Sequence, residues 1–242
     1  MFRSLPPIAM LHHVSDDPLY EPLKPYSISR KAFLQLLHYL EENNYEAVGF
    51  ADAGNRNGQK KVILTFDDCP KHLFDFAIPE LQKRKMKAVF YMPTAHLGQY
   101  NSWDADEGRT RVELMNEADL KELNRLGMEI GAHSHHHIRL KGINETKLRF
   151  EVTECKQILE SILHKEVISF AYPFGSVPEN YQQVLKTAGY GFAASIYAPF
   201  ENNLSLRRFI YHDGDTLKTL SQKLSRTYKW YRFLTDPLKS YS

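Results

Sequence analysis

The chain has 242 residues, of which 43% are hydrophobic and 25% charged, and this mixture excludes disordered, collagen-like and fibrous proteins. Its 31 lysines and arginines against 29 acidic residues leave a formal net charge of +2. With no overall field to attract nucleic acid, we expect no such partner. The two cysteines, Cys69 and Cys155, are too few for a disulfide framework.

The beginning of the sequence resembles neither a signal peptide nor a membrane anchor. No apolar stretch of signal-peptide length follows Met1, and no run of the chain approaches the roughly 20 apolar residues of a membrane span. We therefore expect a cytoplasmic protein with no transmembrane segment. The absence of linkers and internal repeats predicts a single catalytic domain over residues 1–242.

Short apolar runs alternate with helical patterns along the chain, which is typical of a parallel sheet built from strand and helix units. The predicted strands are, in chain order, Ile8 to Val14, Tyr45 to Gly49, Lys61 to Phe66, Ala88 to Met92, Met128 to Ala132, Val167 to Tyr172, Gly191 to Ser195 and Leu206 to Tyr211. The predicted helices follow Ser29, cover residues 71–85, follow Asn116, follow Asn144, and cover residues 178–188 and 215–227. This order predicts a single barrel-like α/β domain, with Cys155 in its core.

Three of the predicted strands end in chemically active residues. Asp67 and Asp68 follow one strand, the histidine-rich stretch 133–137 follows another, and the turn 172–175 follows a third. Because the carboxyl ends of parallel barrel strands open on one face, we expect these groups to meet. One carboxylate and two imidazoles suit a catalytic Zn²⁺ with open positions, and the same donors suit Fe²⁺ or Co²⁺. Alone, each group could be a solvated turn or a surface metal binder, so the joint placement carries the prediction.

Two motifs resemble those of a known family. The stretch Thr65–Pro70 (Thr-Phe-Asp-Asp-Cys-Pro) resembles the Thr-Phe-Asp-Asp-Gly-Pro motif of the polysaccharide deacetylases, also called the NodB-homology domain or carbohydrate esterase family 4. The stretch His133–His137 resembles their His-Ser/Thr-x-x-His motif. The resemblance implies an α/β fold, a distorted (β/α) barrel with fewer than eight units. It also implies metal-dependent hydrolysis that removes an N-acetyl group from an acetylamino sugar and releases acetate and a free amine.

The resemblance also assigns roles residue by residue. It implies that Asp68, His133 and His137 are the metal ligands and that Asp67 is the general base. The two histidines between the histidine ligands match no ligand position. The implied cofactor is a divalent metal, with Zn as the first choice and Co, Ni, Fe or Mn as alternatives.

The turn after a later strand is similar to the Arg-x-Pro-Tyr motif of the family. The overlay implies that the backbone N–H of Phe174 helps to hold the oxyanion and that Tyr172 and Pro173 belong to the substrate site. Ala171 replaces the arginine that pairs with the base in the family, and Cys69 stands where the family has glycine. The Leu-x-His motif that supplies a general acid is not recognisable.

Two residue pairs resemble features of a subset of the family. Leu11-His12 is similar to an early Tyr-His pair, and Arg207-Arg208 to a late Arg-Arg pair. We expect Arg208, with Arg207 as the alternative, to replace the missing arginine beside the base. Histidine titrates near neutral pH, so His212 is the first candidate for protonating the departing amine and His12 is the second.

Two aromatic features support further hypotheses. Trp103, in the polar stretch Thr94–Arg111, could stack on a sugar ring above the predicted site. The aromatic and basic stretch Lys223–Lys239 either contacts a membrane surface weakly or packs on the barrel, and we favour packing.

The expected partner is therefore an N-acetylated carbohydrate, either polymeric or carried on a lipid or nucleotide. One alternative is a deformylase or cyclic-amide hydrolase that uses the same metal site. Another is a catalytically silent, metal-binding glycan receptor, which the missing arginine and general-acid motif would favour. Formation of a free amine distinguishes the enzyme from the receptor.

Overall fold

The computed structural model describes residues 5–17, 23, 26–54, 58–197 and 201–236. Within them, nine strands form one sheet and a short parallel pair forms a second. The large sheet contains β1 (Ile8–Leu11), β4 (Tyr45–Ala47), β5 (Lys60–Phe66), β6 (Val89–Met92), β7 (Glu129–Ala132), β8 (Ser169–Ala171), β9 (Phe192–Ser195), β10 (Leu206–Arg207) and β11 (Phe209–Ile210). The small pair is β2 (His13–Val14) with β3 (Ser27–Ile28).

The large sheet curves into a nearly closed barrel. Its strand order is β10-β9-β8-β7-β6-β5-β1-β11, and every neighbouring pair is parallel. Strand β4 pairs with the amino half of β5, whereas β6 pairs with its carboxyl half. The two ends of this path, β10 and β11, are separated in sequence only by Arg208. The predicted fold class, a distorted (β/α) barrel with fewer than eight units, is confirmed.

Helices cover the outside of the sheet. They are α1 (Arg30–Glu42), α2 (Ala77–Lys83), α3 (Ser102–Ala105), α4 (Glu117–Arg125), α5 (Glu145–Leu163), α6 (Tyr181–Thr187), α7 (Leu217–Lys223) and α8 (Arg226–Thr235). The helix predicted over residues 71–85 is split into a 3₁₀ turn, Lys71–Asp75, and α2. Pro79 explains the split, because a proline lacks the N–H that a continuous helix would need there.

The longer helices bury apolar faces, as the sequence spacing predicts. The side chain of Ser29 accepts a hydrogen bond from the N–H of Ala32 and so caps α1, and the side chain of Asn144 caps α5 in the same way. Cys155 is fully buried on α5, which confirms its predicted place in the core. These packed faces cover the sides of the barrel, so a functional site has to lie at one of its ends.

The C-terminal part of the chain packs only partly as expected. Arg232 of α8 is buried and Tyr228 packs against the core, in agreement with the favoured packing of the stretch Lys223–Lys239, but Trp230 and Tyr231 are 65% and 55% exposed. Lys239 lies outside the described residues. No helix in the described part of the chain is both long and apolar enough to span a membrane. The single domain over residues 1–242 stays a prediction.

Candidate metal and catalytic site

The chemically active residues meet at the carboxyl end of the barrel strands. Asp67 and Asp68 directly follow β5, and the stretch His133–His137 directly follows β7. The 3₁₀ turn Pro173–Gly175 comes after β8, and Arg208 lies between β10 and β11. Parallel strands therefore position groups that are far apart in sequence around one opening.

Three of these residues converge on one point. Asp68 Oδ1 lies 3.2 Å from His137 Nε2 and 3.4 Å from His133 Nε2, and the possible ligand atoms all lie within 4.8 Å of one another. His133 Nδ1 lies 2.8 Å from the carbonyl oxygen of Ala171. A carbonyl only accepts hydrogen bonds, so Nδ1 carries the proton and Nε2 presents its lone pair to the cluster.

The chemistry of this cluster fits a divalent cation. Burial lowers the pKa of His137 to about 3 and also lowers the pKa of His133, so both imidazoles are neutral at pH 7. Asp68 Oδ1 is buried without a hydrogen-bond partner among the described residues. The His133 Nε2 lone pair and the Asp68 carboxylate oxygen, 3.4 Å apart, repel each other unless a cation lies between them. One oxygen and two nitrogen donors are a ligand set that Zn²⁺ accepts.

Asp67 is paired with Arg208, the residue between β10 and β11. Arg208 donates from Nη1 to Asp67 Oδ1 at 2.6 Å and from Nη2 to Oδ2 at 2.7 Å. Burial alone would raise the pKa of Asp67. The opposing effect of nearby positive charge, chiefly the Arg208 guanidinium, is larger and holds that pKa well below the usual range. Arg208 also donates to Thr65 Oγ1 and to the carbonyl of Ser195. Asp67 is therefore an ionised carboxylate in a fixed orientation, with Oδ2 3.9 Å from His133 Nε2.

The neighbouring arginine has a different function. Arg207 pairs with Glu201 at 3.1 Å and with Asp236 at 3.0 Å, so it is not the residue beside the base. Arg232 of α8 also pairs with Asp236, and it donates to the carbonyl oxygen of Arg208 at 3.2 Å. Arg232 thus holds the backbone that carries Arg208. The sequence analysis missed it, because an arginine on an aromatic helix gives no signal of burial.

Backbone strain is concentrated around the cluster. In the described part of the chain, eight residues other than glycine have positive φ, and three of them follow the ends of helices. The other five are Asp68, Cys69, Ser134, His137 and Phe174, with φ between 51° and 67°. Each left-handed residue costs about 1 kcal/mol or more, and such strain is typical of functional sites. Cys69, which stands where the family has glycine, thus keeps the left-handed backbone despite its Cβ.

A buried glutamate holds the loop that carries the histidines. Glu151 Oε2 accepts hydrogen bonds from the N–H groups of His135 and His136 at 3.0 and 2.8 Å, and Oε1 lies 2.7 Å from His136 Nδ1. His135 and His136 are thus held away from the ligand cluster. The sequence did carry a signal for Glu151, because it lies three residues after Leu148 in the apolar stripe of α5, where a charge is unusual.

Two aromatic rings flank one of the proposed ligands. The ring centroid of Trp103 lies 3.9 Å from that of His137, and the ring centroid of Phe174 lies 4.7 Å from it. Phe174 is 42% exposed, so its turn borders the opening of the site. The roles of Trp103 in stacking on sugar and of the Phe174 N–H in holding an oxyanion stay predictions.

The two residues before Phe174 do not contact the opening. Tyr172 and Pro173 are buried, and the Tyr172 hydroxyl donates to the carbonyl oxygen of Leu204 at 2.7 Å. Both side chains pack inside the protein, and the predicted place of the two residues in the substrate site stays a prediction. Their position fixes the turn that presents Phe174.

The two candidate acids lie in different surroundings, and the preference for His212 stays a prediction. The backbone N–H of His212 donates to Asp215 Oδ2 at 2.8 Å, and Asp215 pairs with Lys223 of α7. These contacts hold the turn against α7. None of the described contacts of His212 is with a site residue. In contrast, His12 Nε2 lies 3.8 Å from Asp67 Oδ2.

Comparison with known proteins adds independent information. The polysaccharide deacetylase family profile matches residues 54–193. The chain is similar to the protein YxkH of Bacillus subtilis (strain 168), whose name contains the words polysaccharide deacetylase, with 23% identity over 76% of this chain and 62% of that one. It is similar to the poly-beta-1,6-N-acetyl-D-glucosamine N-deacetylase of Staphylococcus aureus (strain MRSA252), with 24% identity over 79% of this chain and 70% of that one. The fold matches that of the Streptococcus pyogenes deacetylase PplD in complex with acetate, with a TM-score of 0.79 at 21% identity over 92% of this chain and 99% of that one.

Proposed function

The chain belongs to the polysaccharide deacetylase family, and on that basis we propose that it removes the N-acetyl group from an acetylamino sugar in a glycan or glycan precursor. The products are acetate and a free amine. The observation that carries the proposal is the placement of Asp68, His133 and His137 beside an ionised Asp67 that Arg208 fixes in place. The name of the Staphylococcus aureus relative supports an acetylated glucosamine polymer as the class of substrate.

Asp68, His133 and His137 would hold the metal in this proposal. When bound, a divalent ion would polarise the acetamide carbonyl and lower the pKa of a water molecule. The second nitrogen of His133 already donates to the carbonyl of Ala171, which fixes the ring for this role. Zn²⁺ is our first choice, and Fe²⁺ or Co²⁺ suits the same donors.

Asp67 accepts the proton of the attacking water. Its pairing with Arg208 keeps it ionised and oriented, which a proton acceptor needs. The same pairing makes it a weak base, because its pKa lies well below the usual range. Such a weak base can deprotonate only an acidified water, which an ion held by the neighbouring ligand cluster would supply.

Three further residues have proposed roles around the reacting amide. The N–H of Phe174 donates to the oxyanion, and such a donor is worth roughly 10²–10³ in rate. Trp103 stacks on a sugar ring at the opening. His12, close to Asp67, passes a proton to the departing amine, whose expulsion needs protonation of the nitrogen.

A product assay tests the proposal. Metal-loaded protein is incubated with acetylated β-1,6-glucosamine oligomers, chitin oligomers and peptidoglycan fragments, and both acetate and free amine are measured. The proposal predicts equal amounts of the two products from at least one substrate class. Formate from formylated amino sugars alone would support a deformylase, and sugar binding with neither product would support a receptor. The receptor alternative rested partly on the missing arginine, and Arg208 now supplies a guanidinium at that place.

A further inference from the structure

Helix α8 has its polarity reversed relative to an ordinary surface helix. Of its three charged residues, Arg232 is buried against the barrel, together with Asp236 just beyond the helix end, whereas Arg226 is exposed. Its exposed side carries large apolar residues, which are Trp230 (65% exposed), Tyr231 (55%), Phe233 (55%) and Leu234 (49%). Residues three and four apart on a helix are neighbours, so Trp230 forms one continuous patch with Phe233 and Leu234. A surface helix normally places such residues inward.

A basic groove lies beside this helix. The cavity has a volume of about 780 Å³, and its described lining includes eight lysines and arginines but one acidic residue, Glu201. Six of the eight cations are paired with acidic residues, namely Lys61, Arg207, Arg208, Lys223, Lys229 and Arg232. Lys60 and Arg226 are exposed cations of the lining. The groove therefore presents positive charge directly next to the exposed aromatic patch.

Aromatic and basic residues together are typical of a membrane interface. Tryptophan and tyrosine are enriched at the level of the lipid headgroups, and lysine and arginine are attracted by anionic lipid. A second copy of the chain fits less well, because a symmetric contact would bring two basic grooves together. We propose that the exposed face of α8 and the basic groove bind the surface of a bilayer that contains anionic lipid.

The position of this surface sets the orientation of the bound protein. The groove includes Lys60 and Lys61 at the start of β5, whereas Asp67 and Asp68 directly follow its end. Seven extended residues span about 20 Å, so the lysine end of the groove lies at the opposite end of the barrel from the proposed catalytic opening. A protein docked through this end of the groove would thus keep its catalytic opening clear of the lipid and facing glycan in the aqueous phase.

Vesicle binding tests the proposal without any need for turnover. The protein is sedimented with vesicles of phosphatidylcholine and phosphatidylglycerol, and with vesicles of phosphatidylcholine alone. We expect stronger binding to the anionic vesicles. The variant Trp230→Ser/Leu234→Ser should lower the partition coefficient about ten-fold or more, because two exposed apolar side chains no longer enter the interface. The matched control Phe150→Ser removes an aromatic that is 46% exposed on α5, and it should bind like the wild type.

Charge is tested separately. Lys60→Glu/Arg226→Glu should weaken binding to anionic vesicles by at least about 25-fold, since each cation near such a surface is worth about five-fold. Binding to neutral vesicles should change much less. Circular dichroism of each variant checks that the fold is intact.

Fluorescence gives a readout that leaves α8 unchanged. The chain has two tryptophans, so Trp103→Phe leaves Trp230 as the sole reporter. Its emission should shift to the blue when anionic vesicles are added. Absence of binding by the wild type, or full binding by Trp230→Ser/Leu234→Ser, would overturn the proposal. Self-association in sedimentation velocity that the same variant abolishes would also overturn it, in favour of a second copy as the occupant.

Discussion

Arg208 and Asp67 are separated by 141 residues in the chain, yet two hydrogen bonds of 2.6 and 2.7 Å join them inside the barrel. Arg208 interrupts the strand that closes the barrel, and Asp67 follows the end of β5. One interaction therefore connects barrel closure with the orientation of the proposed base. A buried ion pair adds little net stability compared with apolar residues of similar size. Loss of one partner, however, leaves the other charge buried without its counterpart.

This pair predicts strong thermodynamic coupling. Arg208→Met should lower the free energy of unfolding by about 3–5 kcal/mol, because Asp67 then stays buried without a cation. Asp67→Asn should also destabilise, but the double variant should lose clearly less than the sum of the two single changes. Urea unfolding of the four proteins measures the coupling. Additive losses would show that the two side chains do not stabilise each other.

A second prediction separates the base from the metal ligands. Asp67→Asn keeps the shape of the side chain but removes the proton acceptor, so kcat should fall by about 10²–10⁴ while the metal content stays normal. Asp68→Asn is the matched control at the next position, and it should lose the metal. Turnover close to the wild-type level in Asp67→Asn would remove that residue from the mechanism.

The two histidines proposed as acids make a direct comparison. His12→Ala should lower kcat by about 10²-fold or more, because His12 lies 3.8 Å from Asp67. His212→Ala should change it only a few-fold, since its contacts are with the turn around Asp215. Both variants are checked for metal content and folding. If the loss in His212→Ala is the larger, His212 and not His12 is the general acid.

The metal cluster was predictable because each of its motifs directly follows an apolar strand, and parallel strands end on one face. The preference for Arg208 over Arg207 came from the sequence, and the structure adds the partners of each, which are Asp67 for Arg208 and the acids Glu201 and Asp236 for Arg207. Glu151 and Arg232 both bind backbone groups of other segments, and of the two only Glu151, a charge within the apolar stripe of α5, gives a signal in the sequence. The surroundings of His212 were not evident from the sequence either, because its turn is held by Asp215, which pairs with Lys223 of α7.

A half-buried histidine predicts the acid side of the stability profile. Burial lowers the pKa of His72 to about 4, although Asp75 opposes the shift, and the His13 ring stacks on it at 5.3 Å. An unfolded histidine titrates near 6.5, so the unfolded state binds more protons below that pH. The stability contribution is complete above pH 6.5 and is lost as the pH falls toward about 4.

The variant His72→Gln should flatten this decline, and it is measured as the urea midpoint at several pH values. The exposed His38, changed in the same way, is the control and should leave the profile as it is. An unchanged acid decline in His72→Gln would mean that other groups cause it.

The central claim is that Asp68, His133 and His137 hold one ion on which hydrolysis depends. The most direct measurement is a metal titration of chelated protein, in which bound zinc and acetate release are followed together. The account predicts that activity rises in proportion to bound metal and stops at one ion per chain, and that His137→Ala shows neither effect while His135→Ala behaves like the wild type. Full acetate release from protein shown to contain no metal, or loss of the ion in His135→Ala but not in His137→Ala, would contradict it.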